Sequence, residues 1–272
     1  MENFKTDPAA LVRSFRKNRS LVFSLAAREI AMRYRGTFGG FLWALVQPIL
    51  MLCIYTFVFS VIFNSRWRQE SSSDAEYALV LFIGLFVFQI FSECINRAPT
   101  LIVGNVNYVK KVLFPLEILP IVVVYASLFQ LVISLGVWLV AYIYFIGIPP
   151  ATGVLFPIVL IPLLFLSLGV SWILTSLGVY IRDIAQIITI MTTILFFMSP
   201  IFYPITAVPE KFHVFYNLNP VTYAVETSRD VLFFGRIPSL SAWVIWLTIS
   251  MLFAWIGYFW FQKTRKGFAD VL

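Results

Sequence analysis

LAAREIAMRYRGTFGGFLWALVQPI, residues Leu25–Ile49, is the stretch that decides how this chain reads. Arg28, Arg33 and Arg35 sit on a segment with helical patterning. After Gly36, Gly39 and Gly40 the sequence turns apolar and stays so. A basic surface helix therefore runs, through a glycine hinge, into a stretch able to enter a lipid bilayer. That junction sets the side on which the N-terminus lies. It also places a surface helix beside the first span, where a soluble partner can grip it.

Composition agrees. The 272 residues are 60% hydrophobic and only 12% charged, with a mean hydropathy of +0.89, against about 25% charged residues in a soluble domain. A helical span needs about 20 apolar residues. Six such runs occur, at about 41–63, 78–95, 121–145, 154–181, 184–203 and 243–261. They lack the period-two alternation of a membrane barrel, so helices are expected. The expected fold is all-α. It is a single integral membrane domain over 1–272, with six spans, an N-terminal amphipathic interfacial helix, and re-entrant helices between spans five and six. Cys53 and Cys94 fall inside spans and read as small buried residues, not a disulfide framework.

Charge distribution sets the orientation. With six spans both termini share a side, and that side carries 15 of the 20 Lys and Arg residues. By the positive-inside rule both termini of this multi-pass chain are expected in the cytoplasm. The formal charge of +7 thus points to the membrane and not to nucleic acid.

Residues 1–39 form the cytoplasmic tail and amphipathic helix. Within 21–35, Phe23, Ala26, Ala27, Ile30 and Tyr34 fall on one helical face. The cytoplasmic loop at 97–116 is too apolar for a free linker and too short for a domain, which predicts a short helix under the membrane. Pro157 and Pro162 bend span four unless neighbours satisfy the carbonyls they free. In the outer region 206–241, Asn219 is placed as an N-cap with Pro220 at the first helical position. That helix runs past Tyr223, Glu226 and Arg229 to a stop at Gly235.

Catalytic equipment is sparse. The single histidine, His213, excludes a multi-histidine metal site within the chain. No phosphate-cradling Gly-x-x-x-x-Gly-Lys-Ser/Thr run and no Gly-x-Ser-x-Gly elbow occurs. Glu93 and Glu117 lie at span edges, where Glu93 can reach interfacial water or pair with Arg97 four residues on. Aromatics make up 18% of the chain. Tyr55, Phe59 and Phe63 recur along one face of span one, Phe82 and Phe86 along span two. Phe196, Phe197, Phe202 and Tyr203 cluster at the end of span five. Two readings stay open: lipid-facing bulk with interface belts, or a lining of ring faces along which a sugar polymer slides.

Three segments together closely resemble the membrane subunit of ABC-2 type polysaccharide exporters, the permeases for O-antigen, capsule or teichoic acid. They are REIAMRYRGTFGGFLWALVQPIL (28–50), NYVKKVLFPLEILP (107–120) and NLNPVTYAVETSRDVLF (217–233). The resemblance implies a homodimer of permeases bound to two cytoplasmic ABC ATPase subunits, with ATP and Mg on those partners and no cofactor here. It implies that a lipid-linked polysaccharide, O-antigen first, moves from cytoplasm to periplasm. Asn105, Asn107, Tyr108, Lys110 and Lys111 map onto the coupling helix; Arg28, Glu29 and Arg33 supply a second ATPase contact. Tyr55, Phe59, Phe63, Phe196, Phe197, Phe202 and Tyr203 line the channel. Asn219, Pro220, Tyr223, Glu226 and Arg229 form the external gate. Arg33 and Arg35 attract the pyrophosphate of the carrier lipid. The alternatives are an ABC-2 permease for a small hydrophobic drug, or a membrane enzyme acting on lipid-linked sugars.

Overall fold

The computed structural model describes residues 8–63, 67, 74–109 and 114–272. Every regular element among them is helical. The helices are α1 Pro8–Tyr34, α2 Trp43–Tyr55, α3 Asp74–Arg97, the single turn α4 Val106–Val109, α5 Leu119–Phe145 and α6 Phe156–Tyr180. They continue as α7 Ile184–Phe197, α8 His213–Leu218, α9 Pro220–Arg229, α10 Leu240–Thr264 and the short terminal α11 Phe268–Val271. Five stretches among the described residues are long and apolar enough to cross a membrane: Gly40–Phe59, Ala75–Thr100, Leu116–Phe145, Ala151–Tyr180 and Leu240–Val271. This is an all-α, multi-pass membrane protein.

The sequence also predicts a span at 184–203. There the structure has the 14-residue helix α7, about 21 Å long at 1.5 Å per residue. It stops because Pro200 has no N–H to offer the helix and disfavours helical geometry in Ser199 before it. The chain then doubles back through α8 and α9.

α3 is the hub. Its N-terminal half packs on α9, its flanks on α5 and α6, and one face on α7. Ile83, Val87 and Ile90 are buried among Trp138, Val159 and Val225. α2, by contrast, turns Leu45, Ile49, Leu50 and Ile54 outward, and α10 exposes Val244, Leu252 and Phe253. In a bilayer such faces meet lipid tails or another helix. α6 and α10 make the closest pairing. A Cβ on Gly257 would collide with the Gly169 carbonyl, so both positions must be bare for the backbones to approach.

Two prolines inside helices leave carbonyls without their usual donors. In α6, Pro162 frees the Ile158 carbonyl, and Trp243 of α10 donates to it through Nε1 at 3.0 Å. In α2, Pro48 frees the Ala44 carbonyl, which Gln130 of α5 approaches through Nε2 at 3.4 Å.

α1 is longer than the sequence reading placed it, starting at Pro8 instead of near residue 21. Its packed face is also rotated. Val22 and Ala26 are buried, with Ser14, Asn18, Glu29 and Arg33 on the same side, whereas Phe23 and Ala27 are exposed. Phe23 still meets the Tyr125 ring edge at 5.0 Å. The hinge after α1 relies on Gly36 and Gly40, both at positive φ, 83° and 49°, a region costly for any side chain.

Candidate functional site

A cavity of about 880 Å³ opens between α2, α3, α5, α7 and the end of α1. Its lining combines two chemistries that seldom share a membrane interior. Gln47, Gln89, Asn96, Gln130, Thr189 and Thr193 supply neutral amides and hydroxyls; Tyr55, Phe86 and Phe196 supply ring faces. The polar set follows helical spacing: Gln89, Glu93 and Asn96 on α3, Ser127, Gln130 and Ser134 on α5, Thr189, Thr192 and Thr193 on α7. Several are already oriented. Tyr34 donates to Gln130 Oε1 at 2.9 Å. Asn96 accepts from Thr192 Oγ1 at 2.9 Å and donates to Ser92 Oγ at 3.0 Å. These hydrogen bonds lower the cost of polar groups inside a hydrocarbon layer and leave amide edges toward the space.

Four charges form a row that starts at one end of the cavity. Arg33 of α1 donates to Glu93 of α3, and Arg97 at the end of α3 donates to Glu29 of α1. Glu93 also lies 3.6 Å from Arg97 Nη1. Sign alternates along the row Arg33, Glu93, Arg97, Glu29. Burial, and after it the neighbouring Arg97, push the Arg33 guanidinium below its ordinary pKa. Arg33 and Glu93 both line the cavity. Arg28 and Arg35 do not converge with them: both are exposed, Arg35 just past the end of α1.

At the other end the rings interlock. Phe59 stacks on Tyr77 at 5.2 Å and on Phe202 at 6.1 Å, with Tyr55 and Phe63 above and below it. Phe196 meets Phe88, Phe197 and Phe202 at 5.0, 5.4 and 5.0 Å. Six of the seven aromatics singled out from sequence thus form one connected group. Tyr203 stands apart. Its hydroxyl donates to the Phe197 carbonyl at 2.8 Å and pairs with the Tyr216 hydroxyl at 2.7 Å, beside a separate apolar recess of about 380 Å³.

The segment between α7 and α10 is built around a buried arginine. Asn219 caps α9 by accepting from Val221 N at 2.9 Å, and its amide donates to Ser199 Oγ at 3.1 Å. Pro220 takes the first turn, and Gly235 ends the element at φ 67° after a wide turn through Asp230–Phe234. Tyr223 stacks on Trp246 at 5.7 Å. Arg229 is 0% exposed. It donates to the carbonyls of Val80, Pro200 and Ile201 at 3.1, 2.5 and 2.7 Å and to Glu226 at 2.6 Å. The Trp67 ring lies 4.5 Å from its guanidinium carbon. Gly84 makes room for it, since a Cβ there would stand 2.7 Å from Nη2.

The loop expected to couple to a partner starts at Arg97 and lies against α6, where Gly178 admits the Pro99 carbonyl. Asn105 is half-buried and bonds back to the Leu101 carbonyl at 2.9 Å; Asn107 is exposed. Tyr108 stacks on Phe114 at 4.2 Å, nearly parallel. Lys110 and Lys111 lie outside the described residues. The loop's far end is held by Glu117, which accepts from Arg265 at 2.7 Å and from Ser14 at 2.8 Å. Arg265 also donates to the Phe114 carbonyl at 2.8 Å.

Sequence reasoning weighted rings and missed the amides and hydroxyls. Their signal was present as polar residues three, four and seven apart inside apolar runs. It also missed the Arg33–Glu93 pair, whose members stand 60 residues apart.

Residues 20–233 match the family described as ABC-2 type transporter. The chain is 29% identical over 262 residues to an O-antigen export system permease protein of Myxococcus xanthus, covering 96% of this chain and 98% of that one. It is 24% identical to the protein of that description from Klebsiella pneumoniae, with 93% and 95% covered. It is 27% identical to a polysialic acid transport protein of Escherichia coli, with 82% and 85% covered.

Proposed function

The chain belongs to the ABC-2 type transporter family, and from that membership we propose that it is the membrane subunit of an ATP-driven exporter of lipid-linked polysaccharide, O-antigen being the best fit. Two copies pair in the inner membrane with both termini in the cytoplasm, and each engages a cytoplasmic ATPase subunit. The outward apolar faces of α2 and α7, with Ile187, Ile190 and Met191 exposed, are where a second copy completes the path.

One observation carries the reading: the cavity mixes neutral amides and hydroxyls with ring faces. Sugars present hydroxyl groups at their rims and C–H surfaces on their faces, and this lining meets both. Neutral hydrogen bonds exchange readily, so each unit of a moving chain leaves as easily as it enters. A small hydrophobic drug has no use for Gln47, Gln89, Asn96 and Gln130 in one space. A sugar-processing enzyme needs convergent acids, and Glu93 is already committed to Arg33.

The diphosphate of the carrier lipid docks near Arg33 at the cytoplasmic mouth. Closure of the ATPases pushes the 97–116 loop and α1, which are tied together by the Arg97–Glu29 pair and the Ser14–Glu117 bond. Packed helices then shift as rigid bodies and the ring cluster parts. The test is deletion with complementation. Loss of surface polysaccharide, unchanged drug sensitivity, and failure of a Gln89→Leu, Gln130→Leu double variant to restore export are expected. Full export by that double variant contradicts the assigned path.

A further inference from the structure

Glu93 belongs to two circuits. One of its partners, Arg33, faces the cavity; the other, Arg97, is the last residue of α3 and opens the coupling loop. We propose that Glu93 is a displaceable plug: a lipid diphosphate binding at Arg33 expels the Glu93 carboxylate onto Arg97, which loosens Arg97 from Glu29 and reports substrate occupancy to the ATPase. This rests on the reading of Arg33 as the diphosphate-binding residue and adds how that site is sensed.

The physical case has three parts. First, the Glu93 side chain is only 9% exposed. A nearly buried carboxylate stripped of its partner is strongly destabilised, so Glu93 moves only if a second cation waits within reach. Arg97, one helical turn on and 3.6 Å away, is that cation. Second, a diphosphate carries more than one negative charge and accepts bidentate hydrogen bonds from a guanidinium. It therefore competes for Arg33 better than a single carboxylate, and like-charge repulsion drives Glu93 in the direction of Arg97. Third, Arg97 cannot serve two carboxylates as tightly as one. Its hold on Glu29 is the ion pair that joins α1 to the start of the loop. At the loop's far end, Ser14, Glu117 and Arg265 keep their own bonds. Binding at the cavity therefore frees one end of the α1–loop contact and leaves the other fixed, which is a hinge.

The experiment uses the permease assembled with its ATPase subunits in vesicles of three compositions: zwitterionic lipid alone, with phosphatidylglycerol, and with a polyprenyl diphosphate. Diphosphate binding and ATP hydrolysis are measured separately, with a thermal unfolding scan as a folding control. In the wild type the diphosphate stimulates hydrolysis several-fold and phosphatidylglycerol does not. Glu93→Gln, which keeps the side chain's shape but has no carboxylate to pass to Arg97, binds the diphosphate and shows no stimulation. Arg97→Gln, in which the pair with Glu29 is already lost, hydrolyses ATP at the stimulated rate without the diphosphate. Arg33→Gln loses both binding and stimulation. Normal regulation in Glu93→Gln and Arg97→Gln alike overturns the plug while the anion site stands. Undiminished binding in Arg33→Gln overturns the anion site itself. Equal stimulation by phosphatidylglycerol overturns the diphosphate as the ligand.

Discussion

Arginines pack at both ends of α3, and the protein holds them in opposite ways. At the end that the proposed orientation makes the outer one, Arg229 of α9 is sealed from solvent and tied to three backbone carbonyls of two other segments. At the inner end Arg33 of α1 and Arg97 of α3 are partly exposed and tied to carboxylates on side chains. Backbone carbonyls cannot move aside, whereas carboxylates can change partners. The outer arginine is a fastener; the inner pair is an exchange. The difference suits the proposed path, which requires a fixed frame at one end and adjustable contacts at the other for a charged headgroup and a motor subunit.

Arg229→Met should break the frame most severely. It leaves the carbonyls of Val80, Pro200 and Ile201 without a donor. Each buried group so stranded costs about 1–3 kcal/mol, so a loss of roughly 3 kcal/mol or more is expected in thermal unfolding of the detergent-solubilised protein. Arg229→Lys should fail nearly as badly, because an ammonium cannot span the same fork of acceptors. Unfolding at the wild-type temperature would erase the contrast between the two ends.

Gly84→Val should come next. Its Cβ would fall 2.7 Å from Arg229 Nη2 and 3.3 Å from Val225 Cγ1. Arg229 has no free direction in which to retreat, so overpacking of about 1–3 kcal/mol is expected by the same scan. A neutral result would show that the arginine is mobile after all.

Glu29→Gln should be the mildest. Its pair with Arg97 is partly solvent-exposed, and such pairs contribute about 0.2–1 kcal/mol. The unfolding temperature should barely change, while ATP hydrolysis by the assembled transporter should become less dependent on substrate. A large fall in stability would make the inner end a second fastener.

Legibility in the sequence followed the range of the contacts. The Asn219 cap, Pro220 and the Gly235 stop were readable because each acts on its own turn. In the ring cluster, Tyr55, Phe59 and Phe63 were readable from period-four spacing and Phe196, Phe197 and Phe202 from their crowding at the end of span five; Tyr203 instead turns away with Tyr216. Pro200 also signalled why α7 stops short of the expected span end. The roles of Arg229 and Glu93 were hidden. Val80 lies 149 residues from Arg229, and Arg33 lies 60 from Glu93, so no local pattern announces either contact. The packed face of α1 was misjudged for a related reason. Glu29 and Arg33 turn inward because α3 offers partners of opposite sign, which hydrophobic periodicity alone does not register.

The central claim is that the polymer passes through the polar, ring-lined cavity beside α3. Photo-crosslinking tests it directly, with a reactive side chain placed at Gln89 or Thr193 inside the cavity and at Val244 or Leu252 on the outward face of α10. The transporter is stalled during export by withholding ATP. Polysaccharide adducts are expected at 89 and 193 and none at 244 or 252. Adducts confined to the outward positions would contradict it.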